Sequence, residues 1–154
     1  MATALDLITL EEAKAHLAVD FPAHDMLITR LIHTAVALIE KRTQHMLYER
    51  EETRRIKSGY ELYDYPATVD TLGDGLDYQA EEHAGYTRLY FGSTRPEVVT
   101  LTLGYAEKEQ VPEPLISACY KLLTYLFEHR DTYQAELPSD VYLMIRPYQR
   151  YATI

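Results

Sequence analysis

A single cysteine and six histidines are the first candidates for nucleophilic or metal chemistry, and their spacing serves neither. A catalytic thiol needs a neighbouring base or cation to lower its pKa. His129 follows Cys119 by ten positions, which on a helix puts it about 80° around the axis and about 15 Å along it. Cys119 also falls on an apolar stripe, so it reads as a buried core residue. His16, His24, His33, His45, His83 and His129 hold no i, i+4 pair and no His-Glu-x-x-His frame, so no metal site is expected. The run Asp70-x-Leu72-x-Asp74-Gly75, with Glu81 beyond it, resembles a calcium loop. Leu72 offers no side-chain oxygen, however, and the flanks read as strands where an EF-hand needs helices. No nucleophile elbow or phosphate-binding glycine frame is present. The adjacent pairs Glu11-Glu12, Glu51-Glu52 and Glu81-Glu82 do not converge on one point in a helix or strand. Neither catalytic residue nor cofactor is expected.

Elements with another purpose must then account for the chain. Its 154 residues fit one domain, and 47% hydrophobic with 25% charged residues is the composition of a folding globular chain. Fifteen Lys and Arg against 24 Asp and Glu give a net charge of -9, which repels polyphosphate and anionic lipid. No apolar run is long enough to cross a bilayer, and the N-terminus lacks a basic region followed by a hydrophobic stretch, so a cytosolic chain is expected.

Thr9 and Glu12 form a capping-box pair that opens a short helix over 10–17. The clearest periodicity follows, with Ile28, Leu31, Ile32, Ala35, Leu38 and Ile39 on one face of a long helix from about Asp25 to His45. Asp25 at its start and Lys41, Arg42 and His45 at its end suit the helix dipole. Between 47 and 105 the texture turns to β, with strands expected at 51–56, 60–65, 88–91 and 97–104. Val111-Pro112-Glu113-Pro114 starts a second long helix running to about Asp131, its stripe built from Leu115, Ile116, Cys119, Leu122, Leu123, Leu126 and Phe127. A short helix from Ser139 to about Ile145 precedes a tail over 146–154. The fold class expected is α+β and mainly α. Two long antiparallel helices and short terminal helices would make a single domain over 1–154, helical at 8–46 and 111–146, with a small β-rich insertion at about 47–105.

Two regions carry unusual charge. Ser58 to Thr87 has no Lys or Arg but contains Glu61, Asp64, Asp70, Asp74, Asp77, Glu81 and Glu82. It is either an ordinary acidic loop or a surface that keeps DNA from sticking. The segment after Ser139 is rich in Tyr and Arg, residue types favoured at interfaces. It either folds back over its own helices or docks a partner.

The opening Ile8-Thr9-Leu10-Glu11-Glu12-Ala13-Lys14-Ala15-His16-Leu17-Ala18-Val19-Asp20, then His24 to Ile32 and Ile39-Glu40-Lys41-Arg42-Thr43, resembles the head-tail connector proteins of tailed bacteriophages. Gly104-Tyr105, Val111-Pro112-Glu113-Pro114-Leu115, Phe127-Glu128-His129-Arg130 and Leu137 to Arg150 continue the resemblance in the same order. Residues 46 to 103 lie outside it. The resemblance implies a structural, non-enzymatic virion protein: a homo-oligomeric ring, dodecameric in the particle, beneath the portal protein. The ring would extend the DNA channel without sequence-specific binding and dock a tail-side connector or stopper protein. It implies no membrane partner, and a location at the head-tail interface after assembly in the host cytoplasm. Ring contacts are then expected at Arg30, Glu40, Arg42, Glu128 and Arg130. Portal docking is expected at Arg146, Tyr148, Arg150 and Tyr151, with the acidic residues of 61–82 facing the channel. The readings outside the resemblance are a small cytosolic hydrolase working through those carboxylates and a regulatory helical adaptor.

Overall fold

The computed structural model describes residues 2–56, 59–70, 78–92, 98–129 and 137–150. Its helices are α1 (Ala4–Leu7), α2 (Leu10–Leu17), α3 (Asp25–Thr43), α4 (Glu113–Glu128) and α5 (Ser139–Ile145). Three 3₁₀ turns accompany them at Pro22–His24, Lys108–Gln110 and Arg146–Tyr148. The strands are β1 (Arg50–Arg55), β2 (Tyr60–Leu62), β3 (Ala67–Val69), β4 (Tyr78–Glu82), β5 (Thr87–Phe91) and β6 (Val98–Leu103). No described helix is long and apolar enough to cross a membrane.

Local chemistry explains the helix ends. The Thr9 hydroxyl accepts from the Glu12 N–H at 3.1 Å while the Glu12 carboxylate accepts from the Thr9 N–H at 2.9 Å, which satisfies two amides that the first turn of α2 leaves open. Lys108 holds the same Glu12 carboxylate at 2.9 Å, tying α2 to the turn before α4. Ala18 and Gln44 adopt left-handed backbone, at φ 54° and 61°, to end α2 and α3. Ile28, Ile32, Ala35, Val36 and Ile39 of α3 are buried together with Leu115, Ala118, Cys119, Leu122 and Leu123 of α4, and α1 and α5 close this core. Each fully buried Leu or Ile contributes about 1.5–3 kcal/mol.

The expected small β insertion between two long helices is corrected by this arrangement. Among the described residues, six strands form two three-stranded antiparallel sheets, ordered β1-β6-β3 and β2-β5-β4. They also enclose a hydrophobic cluster of their own: Met46, Ile56, Leu62, Val69, Leu89, Val99, Leu101 and Leu103. The central strands alternate inward residues, Val99, Leu101 and Leu103 in β6, as the sequence pattern suggests. The edges do not. β3 is three residues long, and β4 reads Tyr-Gln-Ala-Glu-Glu with its last four residues exposed, a polar edge of the kind that discourages further strand pairing.

Candidate functional site

Two clusters fasten the helical core to the sheets. The first starts from Glu40, which falls one turn after Val36 and so on the inward side of α3, 7% exposed. Its carboxylate accepts the Leu47 N–H at 2.7 Å and both guanidinium nitrogens of Arg50 at 3.1 Å. Burial raises the Glu40 pKa, while the Leu47 N–H and Arg50 pull it back. Arg50 is the first residue of β1, pairs with Glu52 at 3.4 Å and lies over the Tyr48 ring at 4.9 Å. One carboxylate therefore joins the last turns of α3 to the start of the first sheet.

The second cluster centres on His45, also 7% exposed. Its backbone bridges to Tyr65, where the Met46 N–H donates to the Tyr65 carbonyl at 2.7 Å. Its Nδ1 is hydrogen-bonded to the Tyr105 hydroxyl at 2.9 Å, and Tyr65 and Tyr148 meet the ring edge to face. Arg150 lies over Tyr65 at 4.6 Å, donates its backbone N–H to Thr43 at 3.0 Å and faces Glu82 at 3.7 Å. The segment after α5 is thus folded back onto its own protein, one of the two outcomes the sequence left open. His45 is not a dipole-complementing end of α3 either: the helix stops at Thr43 and the imidazole is buried beyond it.

Burial, reinforced by Arg150, pushes the His45 pKa down to about 4, so the ring is neutral at pH 7. A base with a depressed folded pKa contributes stability that is present above its unfolded value, 6.5, and is lost as pH falls toward 4. That contribution is about 3 kcal/mol. Urea midpoints taken from pH 7 to 4.5 should show a steeper loss for the wild type than for His45→Gln; parallel curves would refute the assignment. Burial also raises Tyr105 to about 12, which keeps it a neutral hydrogen-bonding partner.

Neither cluster presents an open reactive group. Cys119 is fully buried and its thiol is pushed well up by burial, as its place on the α4 stripe suggests. Among the described residues, no three His, Cys, Asp or Glu side chains are grouped to hold a metal.

The residues singled out in the sequence are dispersed. Arg30, Arg42 and Glu128 are exposed, whereas Glu40 is not on that surface at all. Arg146 is exposed, but Tyr148 and Arg150 are half-buried in the His45 cluster. Of the acidic set, Glu61 pairs with Arg88 at 2.6 Å, Asp64 with Arg54 and Glu82 with Arg150. Glu81 accepts from the Tyr90 hydroxyl at 3.1 Å, and Asp70 is exposed at the end of β3. The expectations at Asp74, Asp77, Arg130 and Tyr151 lie outside the described residues. Arg50 and Tyr65 escaped the sequence reading, while His45 and Tyr105 entered it only as a helix end and as part of the resemblance. The one available signal was Glu40 on the inward side of α3, since a buried carboxylate demands a cation.

With this geometry in place, the sequence matches the family model of phage gp6-like head-tail connector proteins over residues 7–149. The chain belongs to that family. Its role is that of a structural head-tail connector. No curated protein matches the sequence. Among solved structures, the connector is similar to a chain in the virion of a native gene transfer agent particle, with a TM-score of 0.75 and 20% identity. It is also similar to chains in the neck of the empty particle computed with C6 symmetry (0.72, 18%) and of the native particle computed with C12 symmetry (0.71, 19%). Each comparison covers 100% of this chain and 95% of the other. At these identities the likeness establishes the fold.

Proposed function

We propose that this connector assembles as a dodecameric ring at the neck of a tailed particle, beneath the portal protein. There it extends the DNA channel and presents the docking surface for a tail-side connector or stopper. The observation that carries this is the family match across nearly the whole chain. The neck settings of the similar structures, computed with C6 and C12 symmetry, support a ring. The net charge of -9 supports a conduit over a DNA-gripping surface. The role is structural and non-catalytic, and the 154 residues work as one connector domain, made in the host cytoplasm and ending in the virion.

Within that reading, Arg30, Arg42 and Glu128 belong to exposed flanks available to neighbouring copies. Arg146 is the exposed residue for portal docking, with Tyr148 and Arg150 holding its segment in place. Glu81 and Glu82, on an exposed edge of the second sheet, are the acids assigned to the channel. Affinity capture of the tagged protein from particle-producing cells tests this. Portal and tail proteins should co-purify with a ring visible by electron microscopy, and capture should fall sharply for Arg146→Glu. Recovery of a host metabolic or regulatory protein in their place would overturn the proposal.

A further inference from the structure

The helical half and the sheets keep separate hydrophobic clusters that share no residue, so their relative position rests on the contacts that cross between them. Glu40 and the His45 cluster fasten α3 to the first sheet, through Arg50 of β1, Tyr65 before β3 and Tyr105 after β6. A different element reaches the second sheet. It is the strap after α5, from Arg146 to Arg150, whose last side chain faces Glu82 at the end of β4.

Arg150 is pinned at two points. Its backbone N–H donates to the Thr43 carbonyl at 3.0 Å and its guanidinium lies over the Tyr65 ring at 4.6 Å, which leaves the side chain 16% exposed. Its Nε and Nη2 are fully buried and have no hydrogen-bond partner among the described residues. These two donors form one edge of the guanidinium, the fork that takes a carboxylate through two parallel hydrogen bonds. A buried charged donor left without an acceptor is unfavourable. The acceptor that would relieve it already stands beside the fork: Glu82 Oε2 is 3.7 Å from Nη2, about 1 Å beyond the reach of a charge-assisted hydrogen bond. Arg150 is held, but Glu82 can move. The Glu82 side chain is 67% exposed, and its Oε1 accepts from the Thr87 hydroxyl at 2.9 Å across the β4–β5 pair.

We propose that Arg150 and Glu82 are the two halves of a clasp poised to close: the Glu82 carboxylate moves onto the Nε–Nη2 edge, and the strap then fixes the second sheet against the helical half. The device has two states. In the open one the strap is fastened to Thr43 and Tyr65 and only faces the end of β4; in the closed one all three are tied together, through a movement of about 1 Å at an exposed side chain. Its consequence in the particle rests on the reading above. The strap that carries Arg146 for portal docking would be coupled to the strand edge whose acids are assigned to the channel, so a contact that shifts the strap shifts that edge as well.

Amide hydrogen exchange of the full chain, kept dilute as the free subunit, tests the clasp without the ring. Arg150→Met keeps the backbone bond to Thr43 and a side-chain stem against Tyr65, and Glu82→Ala alters an exposed side chain. Each is expected to speed exchange of the β4 and β5 amides about tenfold and leave those of α3 and α4 unchanged, with the double variant no faster than either single one, because the two residues act as a unit. Thr87→Val is the control. It removes the Thr87–Glu82 hydrogen bond and leaves both halves of the clasp, so exchange should stay within about twofold of the wild type. Loosening by Thr87→Val equal to that by Glu82→Ala would put the role of Glu82 inside its own sheet and overturn the proposal. Additive effects in the double variant, or unchanged exchange in both single variants, would also overturn it. Glu82→Asp separates a clasp from long-range attraction, since it keeps the charge but withdraws the carboxylate by one methylene: it should loosen the second sheet as Glu82→Ala does, and exchange at the wild-type rate would sink the idea. The ring takes no part in the measurement, so the clasp and the ring reading stand or fall separately.

Discussion

Replacing Gly104 by alanine is expected to destabilise the protein by about 4 kcal/mol, combining backbone strain with overpacking. Gly104 follows β6 at φ +99°, a conformation that side chains rarely adopt. A Cβ there would collide with the Tyr48 carbonyl, its carbon only 2.5 Å away, and would stand 3.0 Å from the Glu49 nitrogen. Both are backbone atoms of the strand-entry segment, so no flexible side chain can yield. The Gly104 N–H also donates to the Pro66 carbonyl at 2.8 Å, and Tyr105 beside it holds His45. A shift at this point therefore disturbs both sheet pairing and the aromatic cluster. Gly59 is the control: at φ +67° it has nothing within 4 Å of an added Cβ, so Gly59→Ala should cost only about 1 kcal/mol. Urea unfolding of the two variants measures the contrast, and equal midpoints would refute it.

The same junction shows what a sequence can disclose and what it cannot. The helical parts were legible because their signals are local. Thr9 and Glu12 cap α2 as their spacing predicts, Val111-Pro112 opens α4, and Ser139 to Ile145 form α5. β5 and β6 were legible as apolar strands for the same reason. β3 and β4 were not, because β3 is only three residues long and β4 carries no apolar alternation, so each is defined by the neighbour that pairs with it. The sequence of β4 carries only polar and small residues after Tyr78, although the strand registers residue for residue against β5 from Tyr78↔Phe91 to Glu82↔Thr87. Missing those two edges turned two sheets into a small insertion.

The site was less legible still. Charges on a long helix look like surface until the fold brings a partner to them. Arg30, Arg42 and Glu128 are on the surface; Glu40 is not, because Arg50, ten residues later, turns back to meet it. The acidic run over 61–82 looked bare of cations because its partners are distant in sequence: Arg88 reaches Glu61 and Arg150 reaches Glu82. Tyr148 and Arg150 were recognised as interface types, but their first interface is internal.

Glu40 gives the second large effect, and the direction of its burial sets the expectation. Taking a carboxylate out of water is costly, which is why burial raises its pKa despite Arg50. The intact arrangement is therefore a poor measure of net stability, but breaking it from one side is severe. Glu40→Ala orphans the buried Leu47 N–H and strips Arg50 of its two-nitrogen partner, for an expected loss of about 4 kcal/mol. Glu40→Gln keeps an acceptor for Leu47 and should lose about 2 kcal/mol. Changing both partners, Glu40→Met with Arg50→Met, removes the charges together and should recover most of the loss, because a hydrophobic replacement of a buried pair is often neutral. A double-mutant cycle by urea denaturation reads the coupling directly. If Glu40→Ala cost under 1 kcal/mol, the carboxylate would not be what joins α3 to β1. If the double Met variant were no better than the single, Glu40 would act through the Leu47 amide alone, and the ion pair would contribute only register.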